Sequence, residues 1–109
     1  MSNPDWSVEA LDGRVNLKGL LRLPTPEAYE PVFRAARAWL GRPDGDLVLD
    51  IGEVVLMNSS GIRALASLVL EAKRLGRKMI LRGRSGVPWQ RKTLASLQGI
   101  HEGMRIELG

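Results

Sequence analysis

Residues 47–75 constrain the fold more than any other part of the chain. Leu47-Val48-Leu49-Asp50-Ile51 is a mostly apolar, β-branched run of the length that suits a buried central strand. Further on, Ala64, Leu65, Leu68, Val69, Ala72 and Leu75 recur at helical spacing, with Arg63, Ser67, Glu71 and Arg74 on the wet side. That pattern predicts a helix from about Ser60 to Leu75, closed by Gly76. A buried strand handed on to a broadly apolar helix calls for a sheet with helices packed against it.

The flanking segments extend this scheme. Trp6 to Leu11 and Val15 to Leu20 alternate apolar and polar residues on either side of Asp12-Gly13, which predicts an antiparallel hairpin. In Leu23-Pro24-Thr25-Pro26-Glu27, Thr25 is a candidate cap, and Pro31 forbids an unbroken helix through that point. Val32, Ala35, Ala36, Trp39 and Leu40 then give a helical stripe ended by Gly41 and Pro43. Lys78 to Arg82 reads as a strand, Gly83-Arg84-Ser85-Gly86 as a connector, Trp89, Leu94 and Leu97 as a short helix, and Met104 to Leu108 as a closing edge strand. The order ββαβαβαβ predicts an α/β fold in one domain over 1–109, a mixed central β-sheet covered by α-helices, with 1–5 as a tail.

Composition narrows the function. A chain of 109 residues, 44% of them hydrophobic, buries one core. It contains no cysteine, which removes disulfides, thiolate metal sites and cysteine nucleophiles and suits a cytoplasmic location. The start of the chain lacks the basic and apolar regions of a secretory signal, and no apolar run is long enough to span a membrane. The formal charge of +4 is unevenly placed: six Lys/Arg against nine Asp/Glu over 1–62 (−3), and ten against three over 63–109 (+7). Such a field attracts acidic partners. Yet Lys73, Arg74, Arg77 and Lys78 sit where cations complement a helix C-terminus, and no aromatics interleave with them, which argues against nucleic acid. Trp6, Trp39 and Trp89 are expected in the core.

No catalytic set emerges. The single histidine, His101, is read as a surface residue after the last helix, no serine lies in a Gly-x-Ser-x-Gly elbow, and one histidine makes no zinc site. Asp50 and Glu53 bracket a strand end and are read as solvated loop carboxylates. Neither a catalytic residue, a metal nor a cofactor is expected. Attention falls instead on Asn58-Ser59-Ser60-Gly61, where a buried strand meets a helix N-terminus and unpaired N–H groups converge. Taken alone, the turn serves equally as a helix cap, with Gly61 permitting close packing.

The stretch from Leu47 through Met57-Asn58-Ser59-Ser60-Gly61-Ile62-Arg63-Ala64-Leu65, closing with Lys73-Arg74-Leu75-Gly76-Arg77-Lys78-Met79-Ile80-Leu81, resembles the STAS family of anti-sigma-factor antagonists. Members show a hydrophobic strand ending in Asp, a short passage, an Asp-Ser-Ser/Thr-Gly turn, an apolar helix, a Leu-Gly break and another strand. The likeness runs from Leu47 to the end, and 87–100 resembles divergent stand-alone bacterial regulators. It implies a non-enzymatic regulator in a partner switch, which binds an anti-sigma-type Ser/Thr kinase, with a phosphatase as the counter-enzyme. It also implies phosphorylation at Ser59, with Ser60 as the alternative, and a partner face of Asn58, Ser59, Ser60, Gly61, Arg63, Ala66 and Leu70. Asn58 stands where most kinase substrates of the family carry Asp. The rival reading is an unphosphorylated accessory subunit of a lipid-transport ATPase assembly.

Overall fold

The hairpin forms as the alternation predicts. In the computed structural model, which describes residues 5–109, β1 (Trp6–Leu11) and β2 (Arg14–Leu21) pair antiparallel. Asp12 and Gly13 turn between them at φ 43° and 81°, the two positive values that a two-residue hairpin of matching twist requires. Of the tail expected over 1–5, residues 1–4 lie outside the described residues. Asp5 is no tail, since its carbonyl accepts the Leu20 N–H at 2.8 Å.

Thr25 and Pro31 act as the sequence suggests. Ala28 N–H bonds the Thr25 hydroxyl at 3.2 Å, and a short 3-10 turn, Glu27–Tyr29, leads into α1 (Glu30–Leu40). Pro31 falls in the first turn of α1, where no N–H is needed. Then follow β3 (Leu47–Met57), α2 (Ser59–Arg74), β4 (Met79–Gly83), α3 (Pro88–Gln98) and β5 (Met104–Leu108). Strand order in the sheet equals chain order, β1-β2-β3-β4-β5, and β2 to β5 are mutually parallel. Each crossover steps the same way across the sheet, and crossovers of one hand then put every helix on the same face.

The mixed α/β sheet covered by helices is therefore as expected, and the helices cover one face only. Val15, Leu17, Leu49, Leu81 and Met104 are buried beneath the helices together with Tyr29, Phe33, Leu65, Leu68 and Leu94. The opposite face carries Arg14, Asn16, Val48, Asp50, Ile80, Arg82, Arg105 and Glu107, all half-buried or exposed.

β3 is longer than the run that announced it. It bonds to β4 only through Asp50 and continues to Met57 paired with β2 alone, with register shifts between Asn16 and Lys18 and between Gly19 and Leu20. Asp50 and Glu53 consequently lie inside the strand, not in a loop. Asp50 Oδ1 accepts the Gly52 N–H at 2.9 Å within the first irregularity, its Oδ2 meets Arg14 at 3.0 Å, and Glu53 meets Lys18 at 3.3 Å.

The edge of β3 that β4 abandons is closed by α3. Gln90, fully buried, donates through Nε2 to the carbonyls of Ile51 (2.7 Å) and Val54 (2.9 Å) and accepts the Arg84 N–H at 2.7 Å. Trp89 Nε1 also donates to Val54 at 3.0 Å. Trp89 is thus half-buried, and so is Trp39, whose ring packs on Gly13, stacks beneath Arg42 at 4.5 Å and donates to the Asp46 carbonyl at 2.8 Å. The three tryptophans pack the core as expected, Trp6 within it and Trp39 and Trp89 against it from its margin.

Two further expectations change. His101 is buried, not a surface residue. Its Nδ1 accepts the Gly103 N–H at 3.3 Å, which leaves Nε2 to carry the proton and donate to the Arg77 carbonyl at 2.7 Å, so the ring fastens the approach to β5. Arg77 serves a helix C-terminus, but that of α1, donating from Nε to the Leu40 carbonyl at 3.1 Å.

Candidate functional site

Asn58 has extended backbone at φ −76°, ψ 175° and caps α2, with its Oδ1 accepting the Gly61 N–H at 2.9 Å. The same oxygen accepts the Tyr29 hydroxyl at 2.6 Å, while Nδ2 donates to the Leu23 carbonyl at 2.8 Å. Asn58 N–H, in turn, bonds the Leu21 carbonyl at 3.0 Å. One amide therefore ties the end of β2, the turn before α1 and the start of α2 into a single knot, and both of its ends are used. Tyr29 completes it by accepting the Leu23 N–H at 3.3 Å. Burial raises the phenol's pKa above its ordinary value, against the opposing pull of that N–H.

Gly61 is buried because the knot leaves no room. A Cβ there would stand 2.6 Å from Met57 Cγ and 2.7 Å from Tyr29 Oη, far inside contact distance. The close packing read from the sequence is real, but it is side chains that approach. Gly61 thus enters a partner face only by holding the helix start down.

The hydroxyls differ. Ser60 is half-buried and donates to the Pro24 carbonyl at 3.3 Å, whereas Ser59 is exposed in the first turn, its side chain without a hydrogen bond among the described residues. Arg63, one turn further on and exposed, has no ion-pair partner among the described residues. Ala66 is half-buried and Leu70 is 52% exposed, so Ser59, Arg63, Ala66 and Leu70 all reach solvent along α2. No acidic side chain occupies the first turn of α2, leaving its positive end uncompensated from within the helix.

Three residues around the site went unread in the sequence. Val55 and Leu56 are 65% and 42% exposed at the end of β3, because the register shift beside them breaks the alternation that would have buried one of the two. Nothing in a single sequence marks that shift. Tyr29 was legible: it begins the stripe Tyr29, Val32, Phe33, Ala36, Leu40 that α1 buries, its ring 6.3 Å from that of Phe33.

The site offers a capped helix start, one free hydroxyl and a mixed cationic and apolar strip. No helix among the described residues is long and apolar enough to cross a membrane. No curated protein matches the chain. The family model described as the STAS domain matches residues 27–106, beginning twenty residues before the motif-level likeness and taking in α1 and the 3-10 turn. That match spans well over half of the chain, and the five-strand mixed sheet with three helices is consistent with it, so this chain belongs to the STAS-domain family.

Proposed function

We propose that the protein is a non-enzymatic regulator in a partner-switching system, docking an anti-sigma-type Ser/Thr kinase or a related partner through the start of α2. The reading rests on family membership and on one observation. Ser59 presents an unbonded, exposed hydroxyl between two neighbours whose side chains are committed to internal bonds. A kinase can take Ser59 without dismantling the cap, while Ser60 would have to surrender Pro24.

A phosphate on Ser59 adds about −1.5 to −2 charges at the positive end of α2, one turn from Arg63, and is stabilised there in the free protein. At a packed interface built on Ser59, Arg63, Ala66 and Leu70 the same group must be desolvated, so modification favours release. Val55 and Leu56, exposed just before the turn, extend the apolar share of that face.

Binding of the cognate kinase, measured by calorimetry, is retained in Ser59→Ala and weakened at least about tenfold, or 1.4 kcal/mol, in Ser59→Asp. Intact-mass analysis after incubation with kinase and ATP gives one phosphate, lost in Ser59→Ala. Absence of phosphate on wild type removes the switch. Stable co-purification with a membrane ATPase supports the accessory-subunit reading instead.

A further inference from the structure

The face of the sheet that no helix covers carries an ordered charge pattern. Asn16, Asp50, Arg82 and Glu107 occupy one register row across β2, β3, β4 and β5. Arg14 leans into that row, with Nε on Asn16 Oδ1 at 3.2 Å and a terminal nitrogen on Asp50 at 3.0 Å. Arg82 meets Glu107 at 2.8 Å, and Arg105 meets the other oxygen of Glu107 at 2.8 Å. Read across β2, β3 and β4 the row is positive, negative, positive, and it ends on Glu107, whose carboxylate is shared by Arg82 and Arg105. Two register rows away, the next row on this face holds the half-buried Val48 and Ile80, flanking a shallow groove of about 250 Å³ that Lys78 and Arg105 also line.

Two neighbouring positions of opposite charge, here Asp50 and Arg82, are their own complement when reversed. Turning a second copy about a two-fold axis that runs along the strands between β3 and β4 reverses the row and leaves the rows in step. Asp50 then faces Arg82 of the partner subunit, Val48 meets Ile80 of the partner subunit, and the Arg14 guanidinium falls opposite the ion pair of Glu107 of the partner subunit and Arg105 of the partner subunit. Moving the partner sideways by one strand puts the axis on a strand and sets like charges opposite, Asp50 against Asp50 of the partner subunit, and moving it by two restores opposite charges over fewer strands, so the central axis gives the fullest fit. Two sheets facing in this way keep their strands close to aligned, as twisted sheets do when they pack.

We infer that the open sheet face is a homodimer interface, joining two copies through Asp50 and Arg82 at its centre and the Val48–Ile80 pair beside them. The face is small. Four strands spaced about 4.8 Å apart and about five residues deep give a flat footprint of roughly 300 Å² per copy, well under that of a stable interface, so the association is weak and reversible. Being charge-matched at an accessible edge, it weakens with salt. It leaves α2 and Ser59 uncovered, on the helical side of the sheet, and is independent of the switch proposed above.

Sedimentation velocity over about 5 μM to 1 mM, at low salt and in 0.5 M NaCl, tests it. The wild type is expected to pass from monomer to dimer across the series, with the transition shifted to higher concentration by salt. The double substitution Arg82→Glu with Glu107→Arg preserves the ion pair within the subunit but sets like charges across the axis, and is expected to be monomeric. Ile80→Glu, on the exposed face of a strand and outside the core, provides a second disruption, with the thermal midpoint of each variant reporting folding. A wild type monomeric to 1 mM overturns the inference and leaves the face to a different protein. So does a dimer that survives both variants, since it must use another surface.

Discussion

Gln90 gives the sharpest test of how the sheet and helices are joined. Its amide supplies two donor bonds to the Ile51 and Val54 carbonyls and one acceptor to Arg84 N–H, with the side chain fully buried. Gln90→Glu conserves shape and the Arg84 bond but turns the donor into an acceptor, setting an anionic oxygen against two carbonyls. Val54 retains Trp89 and Ile51 loses its side-chain donor. A stranded polar group costs about 1–3 kcal/mol, and an unpaired buried carboxylate several more, giving about 4 kcal/mol in all. In a domain stable by about 5–15 kcal/mol that loss is severe.

The deficit carries a pH signature. The neutral acid can donate to one carbonyl, so the folded state prefers the protonated form. At 1.36 kcal/mol per pKa unit, 4 kcal/mol corresponds to a rise of about three units, from about 4.3 to about 7. A group whose folded pKa is raised gives stability that is present below the unfolded pKa and is lost as pH rises through the folded one. The gap between Gln90→Glu and wild type is therefore widest at pH 7 and closes toward pH 4, while Gln90→Met, which lacks the charge, shows a smaller gap independent of pH. Urea denaturation followed by tryptophan fluorescence at both pH values measures this. A Gln90→Glu variant within about 0.5 kcal/mol of wild type at pH 7, the scatter of an ordinary surface substitution, would refute the reasoning.

Three other outcomes follow from the same geometry. Gly61→Ala gains about 1 kcal/mol of helix propensity but drives a methyl into Tyr29 and Met57, and the overpacking and lost Tyr29–Asn58 bond leave a net destabilisation of about 2 kcal/mol by thermal or urea melting. Tyr29 is the only tyrosine, so absorbance near 295 nm reports it alone; its ionisation in the folded protein lies above the usual value near 10, and stability is constant below that pH and falls as pH rises through the folded pKa. An ordinary midpoint in the folded state counts against its burial. The Glu107 carboxyl is held below the usual carboxylate range first by its bond to Arg82, so its stabilising share is present at neutral pH and lost as pH falls through the depressed pKa; NMR titration finds that midpoint moving up in Arg82→Gln, and no movement removes the pair from the ladder.

The elements of the fold were legible because each rests on local chemistry: the alternation around Asp12-Gly13, the broad stripe of α2, and Thr25 and Pro31 at the entry to α1. The one-sided helical layer was not, since it depends on every crossover stepping in one direction, a property of the whole chain. The extension of β3 to Met57 was hidden by its irregularities, which break the two-residue period that strand reading depends on. Gln90 was readable and missed: with Leu94 and Leu97 it makes the i, i+4, i+7 stripe that α3 buries, and a polar residue on such a stripe signals a buried hydrogen-bonding role. His101 was misread because a histidine between glycines and charges looks solvated, and only the approach of Arg77's carbonyl buries it usefully.

Asn58, the residue that departs from the family's usual Asp, has a structural reason to be what it is. Around its side chain lie two donors, Gly61 N–H and Tyr29 Oη, and one acceptor, the Leu23 carbonyl. An amide answers all three, with its oxygen to the donors and its nitrogen to the acceptor; a carboxylate answers the donors and repels the carbonyl. The choice of Asn is thus set by Tyr29 and Leu23, which belong to the turn before α1, and not by the hydroxyl of Ser59, which Asn58 does not touch by any hydrogen bond among the described residues. The missing carboxylate therefore reports on how this chain anchors its first helix, and the case for Ser59 stands on its own exposure and on the positive helix end beside it.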